Sequence, residues 1–585
     1  MTIFDYQDNE ALGVVISVDT ATVTVRVDDI ERLRRIQVNR LAVLQSSKPG
    51  QHLIGVVTRI TRKADEREVA EDTAIDLPDQ GAPENNLVRV TLIGTLLDSH
   101  GVKKNVFLRT LETVPEIEAN CFSLEGQRLT NFMRVISDVG VDGPRLSLGK
   151  FTLDDEAEAF LNGNKFFQRH AVIVGSTGSG KSWTTAHLLD QIAQLPQANV
   201  ILFDIHGEYK PLQGEEFRHI RIAGPTDIES GAGLKDDVLH LPYWLLGYEA
   251  LTSLFVDRSD QNAPNQAMVM TRCITDAKQN SLSDPKHADI LANFTIDSPV
   301  PFDIEMVLTE LKRLDTERVP GATGKPDAKA GDFNGKLSRL IARLEAKKQD
   351  RRLGFLFQLP PECMEMEWLP GMAHKLIGSR GAQEDKKGGI KVLDFSEVPS
   401  DILPLMVSLL ARFVFTTNQW TDLENRHPLA LLCDEAHLYI PERAVADSAG
   451  AISVEIFERI AKEGRKYGIG LVVISQRPAE VNRTVLSQCN NVIAMRLTNG
   501  DDQNVIKRLL PDSLGSYGDL LPILDIGEAL VVGDASLLPT RVRVAEPNRK
   551  PNSLTVDFWD RWNETEPKND TENAVKAWRR QSFQN

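Results

Sequence analysis

Cysteine is scarce in this chain of 585 residues: five, at Cys121, Cys273, Cys363, Cys433 and Cys489, with no C-x-x-C pair. That spacing suggests neither a disulfide framework nor a zinc site and leaves free buried thiols as the expectation. Long apolar runs are missing too. No stretch approaches the 18 residues of a membrane span, and the acidic start MTIFDYQDNE does not have the form of a signal peptide. The expectation is therefore a cytoplasmic protein without a membrane partner. Positive charge is in deficit, the net charge being −16. A molecule coated in basic surface for passive nucleic-acid binding is disfavoured, although a local basic channel is not, because only the field along the polymer's path matters. With 41% hydrophobic and 26% charged residues the composition is otherwise that of an ordinary globular protein. Its length calls for two or three domains.

The chain opens with β-rich segments, LGVVISVDTATVTVRVD (12–28), HLIGVVTRIT (52–61) and NLVRVTLIGTLL (86–97), and no helical pattern lies between them. This predicts a small β-barrel over 1–135, interrupted by a charged insertion at 62–86. From residue 170 the pattern changes to strand, glycine loop, helix, strand: HAVIVG (170–175), KSWTTAHLLDQIAQL (181–195) and NVILFD (199–204). That is a βαβ unit and predicts a parallel sheet. Further strand candidates lie at 390–395, 429–434, 470–475, 491–497 and 528–534. The fold class is α/β, with a RecA-like core over 136–240 and 389–545. A mostly helical insertion fills 241–388 and a tail covers 546–585. Inside the insertion, KLSRLIARLEAKKQDRR (336–352) is strongly basic. A solvated face is the first reading and a phosphate-facing surface the second.

The strongest chemical signal is GSTGSGKS (175–182), which fits G-x-x-x-x-G-K-[ST] and lies between a strand and a helix. Gly175, Gly178 and Gly180 allow a turn tight enough to aim successive N–H groups at phosphate oxygens, with Ser176, Thr177 and Ser179 between them. Lys181 brings a charge to the β and γ phosphates, and the Ser182 hydroxyl can ligate Mg²⁺. Trp183 is counted with the loop as an ATP-binding residue. ATP and Mg²⁺ are the expected cofactors.

At LLCDEAHLYIP (431–441), Asp434 and Glu435 end an apolar strand, the place for a magnesium-shell carboxylate and a water-polarising one. The letters D-E-A-H also name a helicase superfamily, yet Asp434 stands 253 residues beyond Lys181 and no second motor half follows. FDIHGEY (203–209) brings Asp204, His206 and Glu208 to another strand end, where carboxylates face the ligand crevice. Asp204 or Glu208 can orient water or metal, whereas His206 reads first as a packed residue.

Together HAVIVGSTGSGKS, FDIHGEY, LLCDEAHLYIP, GRKYGIGLVVISQRP (464–478) and LSQCNNVIAMRLTN (486–499) resemble the HerA family of HerA/FtsK motor ATPases. The resemblance extends over most of the chain, and Asp434-Glu435 in place of the archaeal glutamate pair fits a bacterial member. It implies a homohexameric ring that hydrolyses ATP between subunits and drives double-stranded DNA through its pore. It also implies a partner docked on the barrel face, either a nuclease or a sirtuin-like NAD-consuming effector, in DNA processing or anti-phage defence.

Within that resemblance Gln476 takes the position of a γ-phosphate sensor. Arg465 is the candidate arginine finger, with Lys466 and Arg459 as rivals. Arg169 matches a basic position of the family and is counted as nucleotide-binding. Two other readings share the motifs. One is a scaffold whose ATP turnover controls an effector enzyme. The other is a secretion or conjugation motor of the VirB4 or TraG type, which would ordinarily need a membrane segment.

Overall fold

The structure is a computed structural model. It describes residues 3–580 apart from 65–83, 102, 138–144, 320–328, 384, 445, 447, 511, 537, 554–555 and 566–569. Most of the expected insertion at 62–86, and part of the glycine- and proline-containing stretch at 319–335, lie outside the described residues. The chain forms two compact units. One is Met1–Phe166 with Asn491–Arg496 and Leu510–Glu546; the other is Phe167–Asn490 with Leu497–Leu509 and Pro547–Asn585.

In the first unit, seven strands follow in order: β1 (Gly13–Asp19), β2 (Thr22–Arg26), β3 (Leu41–Gln45), β4 (Gln51–Ala64), β5 (Glu84–His100), β6 (Lys103–Leu108) and β7 (Asn120–Ser123). Their spatial order is β2-β1-β7-β3-β4-β5-β6, and β2 also pairs with β5. That extra ladder closes six strands into an antiparallel barrel, with β6 carried on the outside of β5. Alternation explains the closure. Along β2 and just after it, Val23, Val25 and Val27 point inward at 0–1% exposure. There they meet Val15, Leu44, Leu53, Val57, Val88, Val90 and Cys121. All five cysteines are free and buried. The same unit holds β8 (Leu146–Phe151) and β9 (Asp154–Leu161).

In the second unit the strands are β10 (Ala171–Val174), β11 (Val200–Asp204), β12 (Phe217–Ile222) and β13 (Val238–Leu239), then a small hairpin of β14 (Arg318–Val319) and β15 (Lys329–Ala330), then β16 (Ile390–Asp394), β17 (Leu429–Cys433) and β18 (Ile469–Ser475). Within this unit the order is β13-β12-β16-β11-β17-β18-β10, all parallel. The central strands β10, β11, β17 and β18 are apolar along nearly their whole length, as expected when helices cover both faces of a sheet. The segment between β13 and β16 is mainly helical, with Tyr248–Phe255, Ala263–Ser281, Ile304–Thr316, Ser338–Gln349 and Trp368–Ile377 as its main helices. It clusters with the parallel sheet rather than as a separate body.

The basic helix Ser338–Gln349 buries Leu340, Ile341 and Leu344. Arg339 and Arg343 turn toward Asp260 and Asp257, and Lys348 pairs with Glu305. Its charge is thus largely met by neighbouring acids, which favours the solvated face over a phosphate-facing surface. Among the described residues, no helix is long and apolar enough to cross a membrane.

One sequence expectation holds for the strands themselves but not for their direction. The segments 491–497 and 528–534 read as strands of the α/β core. They form β19 (Asn491–Ala494) and β20 (Glu528–Gly533), and with β21 (Thr540–Val544) they make antiparallel ladders that continue to β8 and β9 within the first unit. The connection from β20 to β21 is too short for a crossover helix, so the two strands can pair only antiparallel.

Candidate nucleotide site

Register gathers the predicted residues. Val174 pairs with Ser475, Cys433 with Val473 and Phe203 with Cys433. The next residues, Gly175, Gln476, Asp434 and Asp204, therefore emerge together at the carboxyl edge of the sheet, where such sheets bind ligands. The strand ending in Gln476 lies between the phosphate-loop strand and the acid-pair strand.

The loop then turns on two left-handed glycines, Gly178 at φ 73° and Gly180 at φ 111°. Nothing lies near a Cβ at Gly178, so backbone conformation rather than space requires glycine there. The helix Lys181–Ile192 starts at once, adding its N-terminal dipole to the turn. Ser176 Oγ lies 3.4 Å from Thr498 Oγ1, tying the loop to the segment after β19. Ser179 Oγ is fully buried without a hydrogen bond.

Three side chains from three strand ends form one hydrogen-bonded line. The Thr177 hydroxyl donates to Gln476 Oε1 at 2.6 Å, and Gln476 Nε2 donates to Glu435 Oε1 at 2.6 Å. Glu435 is held in a left-handed conformation, φ 45° and ψ 45°, rare for a glutamate and a mark of a position over-determined by its surroundings. Its Oε2 accepts no hydrogen bond, although His437 Nδ1 lies 3.3 Å away. Burial pushes His437 down to about 4, so it is neutral. Its Nδ1 also lies 3.2 Å from Ser475 Oγ. His437 and Ser475 were not singled out from sequence; the signal for His437 was its place in the D-E-A-H turn.

On the other side, Ser182 Oγ donates to Glu208 Oε2 at 2.6 Å. Asp204 behaves differently from Glu208. Its two oxygens accept the backbone N–H groups of Glu208 and Tyr209, each at 3.0 Å, and it is fully buried. Asp204 is thus a positioning residue that fixes the turn presenting Glu208. His206 is exposed.

The electrostatics are those of a site short of positive charge. Burial raises Asp434 well above the usual carboxylate range, and Glu435, Asp204 and Glu208 raise it further, while Lys181 opposes them. Glu435 is raised, chiefly by burial. Asp204 is pushed up to about 6 by burial. Lys181 is lowered by its own burial in spite of the surrounding carboxylates. A divalent cation between Ser182 and Asp434 would relieve this crowding, and the hydroxyl and carboxylate donors suit Mg²⁺. Among the described residues, no group of three or more His, Cys, Asp or Glu forms a metal cage by itself.

Two predicted arginines are not brought to this edge. Arg465 precedes β18 and Arg169 precedes β10, so both stand at the amino-terminal edge. The seven residues of β18 put Arg465 about 20 Å from Gln476, beyond the reach of one side chain. Arg169 is therefore not a ligand of its own subunit's phosphate loop, and its exposed position is set by the strand that follows it. Arg465 is exposed, and its side chain has no hydrogen bond or ion pair among the described residues; nearby His170 is lowered to about 4 chiefly by burial, with the Arg465 charge adding to it. Lys466 lies over Tyr467, and Arg459 over Phe415. Trp183 is half-buried, with Lys550 Nζ 5.1 Å from its ring centre.

The family model described as "Helicase HerA, central domain" matches residues 146–414, a stretch that contains the phosphate loop, Asp204 and Glu208 and stops before Asp434. A probable helicase of Methanocaldococcus jannaschii is 26% identical over 422 residues, covering 71% of this chain and 70% of the relative. The DNA double-strand break repair helicase HerA of Sulfolobus acidocaldarius is 23% identical over 419 residues, covering 70% and 71%. Among solved structures, VirB4 of Thermoanaerobacter pseudethanolicus aligns at a TM-score of 0.45 with 17% identity, covering 70% of this chain and 98% of that one. Through the central domain at 146–414, and through relatives that align over about 70% of the chain, this protein is similar to the HerA helicases.

Proposed function

We propose that the chain is an ATPase of the HerA type, using ATP and Mg²⁺ to move double-stranded DNA through a homohexameric ring in the cytoplasm. The observation that carries the reading is the line Thr177–Gln476–Glu435, which joins the phosphate loop to the acid pair through an amide. An amide there can exchange partners when a γ-phosphate arrives or leaves, so hydrolysis is coupled to the loops beyond β18.

The chemistry follows from the residues. Backbone N–H groups of 175–182 and Lys181 hold the phosphates, and Ser182 with Asp434 would hold Mg²⁺. Bound there, the ion supplies charge neutralisation at the β and γ oxygens. Ser182 must turn from Glu208 to do so, and Glu208 remains beside it as an acceptor. Glu435, with Oε2 free of hydrogen bonds, accepts the proton of the water that attacks the γ-phosphorus as the bond to the β-phosphate oxygen breaks. Arg465 and Arg169, remote from their own loop, face outward to serve a neighbouring subunit's nucleotide.

The relatives named as DNA double-strand break repair helicases support duplex DNA as the polymer. We place a nuclease or sirtuin-like effector on the barrel face, in DNA processing or anti-phage defence, on the strength of the family resemblance alone.

Two variants test the reading. Lys181→Ala should lose ATP binding and turnover, and Glu435→Gln should bind ATP normally and turn over poorly, while duplex DNA accelerates the wild type. Near wild-type hydrolysis by Glu435→Gln would refute the site. Stimulation by a co-purifying protein but not by DNA would replace the motor with the scaffold.

A further inference from the structure

Beyond the phosphate end, a segment from the far C-terminal region lies against the helix that follows the phosphate loop. Arg549 anchors it. Its backbone N–H and Nη1 both reach Asp190, at 3.1 and 2.8 Å, its Nε donates to Gln213 O at 2.8 Å, and its Nη2 lies 3.1 Å from Glu216 Oε2. The guanidinium also covers the Phe217 ring at 5.0 Å. Asp190 is 3% exposed, so this is a built-in anchor rather than a chance surface pair. Three residues on, Asn552 N–H donates to Glu208 O at 2.7 Å, the backbone of the residue whose carboxylate holds Ser182. Between these two ties sits Lys550, over Trp183.

Trp183 and Asp190 are seven residues apart on one helix and so share a face, which is the face the segment crosses. The γ-phosphate end of the loop is marked by Thr177, Gln476 and Glu435. The nucleoside must leave from the opposite end of the phosphate chain, at the first turn of the helix, where Trp183 follows Ser182. We infer that Trp183 and Lys550 form the base subsite of the nucleotide: an indole that stacks on the purine, framed by a lysine that Arg549 and Asn552 hold in place. An indole reads a π-face rather than a hydrogen-bonding edge, so the ligand class is purine nucleotides with little discrimination between adenine and guanine.

The inference rests on the phosphate-loop reading, and the probes separate the two. Binding to the full chain is measured for ADP and for inorganic tripolyphosphate, each with Mg²⁺; tripolyphosphate has neither base nor ribose. Trp183→Ala should weaken ADP by roughly tenfold or more and leave tripolyphosphate within about twofold, with Trp183→Phe restoring most of the ADP affinity. Lys550→Ala should weaken ADP in the same selective way and to a smaller degree. If Trp183→Ala leaves ADP unchanged, or weakens both probes equally, the base subsite is refuted. Failure of wild-type protein to bind tripolyphosphate in a Lys181-dependent way would refute the phosphate-loop reading instead.

Discussion

Replacing Gln476 by leucine keeps the volume near the end of β18 and deletes both polar atoms of the amide. Glu435 is 6% exposed, and its Oε1 would lose its 2.6 Å partner while Oε2 already has none. A hydrogen bond to a charged group contributes about 1.5–3 kcal/mol. Its loss should lower kcat by roughly 10–150-fold. Affinity for ATP should change little, because Gln476 touches the loop only through the Thr177 hydroxyl and leaves Lys181 and the backbone N–H groups in place. Thr177→Val removes a neutral hydrogen bond worth about 1 kcal/mol, or roughly fivefold in kcat. If the three residues act as one line, the double variant should be no slower than Gln476→Leu alone, which makes a double-mutant cycle the decisive measurement. Steady-state turnover and equilibrium binding of a non-hydrolysable ATP analogue would supply the numbers. Additive losses, or a loss confined to KM, would refute the relay.

Arg465→Ala should spare nucleotide binding and lower turnover by about 10³–10⁵. Rings mixed from Arg465→Ala and Lys181→Ala subunits should regain activity that neither has alone, and mixed rings that exchange subunits yet stay inactive would count against action across subunits. Glu458 supplies a test of stability. It is 6% exposed and held down to about 2, first by the hydrogen bond from Arg443 and then by Lys462. Because its folded value is depressed, its contribution is complete above about pH 5 and is lost as pH falls through about 2. Glu458→Gln should therefore cost about 1–3 kcal/mol at pH 7, discounted for the exposure of Arg443. The gap from wild type in urea midpoints should narrow toward pH 3, and a constant gap would exclude this cause.

The parts of the site written as contiguous letters were legible. GSTGSGKS, Asp434-Glu435 and Gln476 each sit at the end of an apolar strand, and parallel register does the rest. What was not legible is which of them touch. Thr177 and Gln476 bond across 299 residues of sequence, a pairing set by the strand order rather than by any local pattern. Arg169 reads as nucleotide-binding from a position matched in the family and Arg465 as a finger for a neighbouring subunit, and neither residue type tells which end of the following strand faces the loop. The segments 491–497 and 528–534 look like buried parallel strands because antiparallel strands covered on both faces show the same apolar run. Arg549 lies in a stretch without periodicity, where nothing local reports an anchor on Asp190.

Asp204 would mislead a survey of substitutions. Both of its oxygens are occupied by backbone N–H groups, so asparagine leaves one of them unmatched and alanine leaves both. Such variants would disappear from an activity screen beside those of Glu435, and the two positions would look equally catalytic. Their folded yields would separate them. Protein lacking the Asp204 carboxylate should be recovered poorly or melt early, whereas protein lacking the Glu435 charge should be plentiful, well folded and idle.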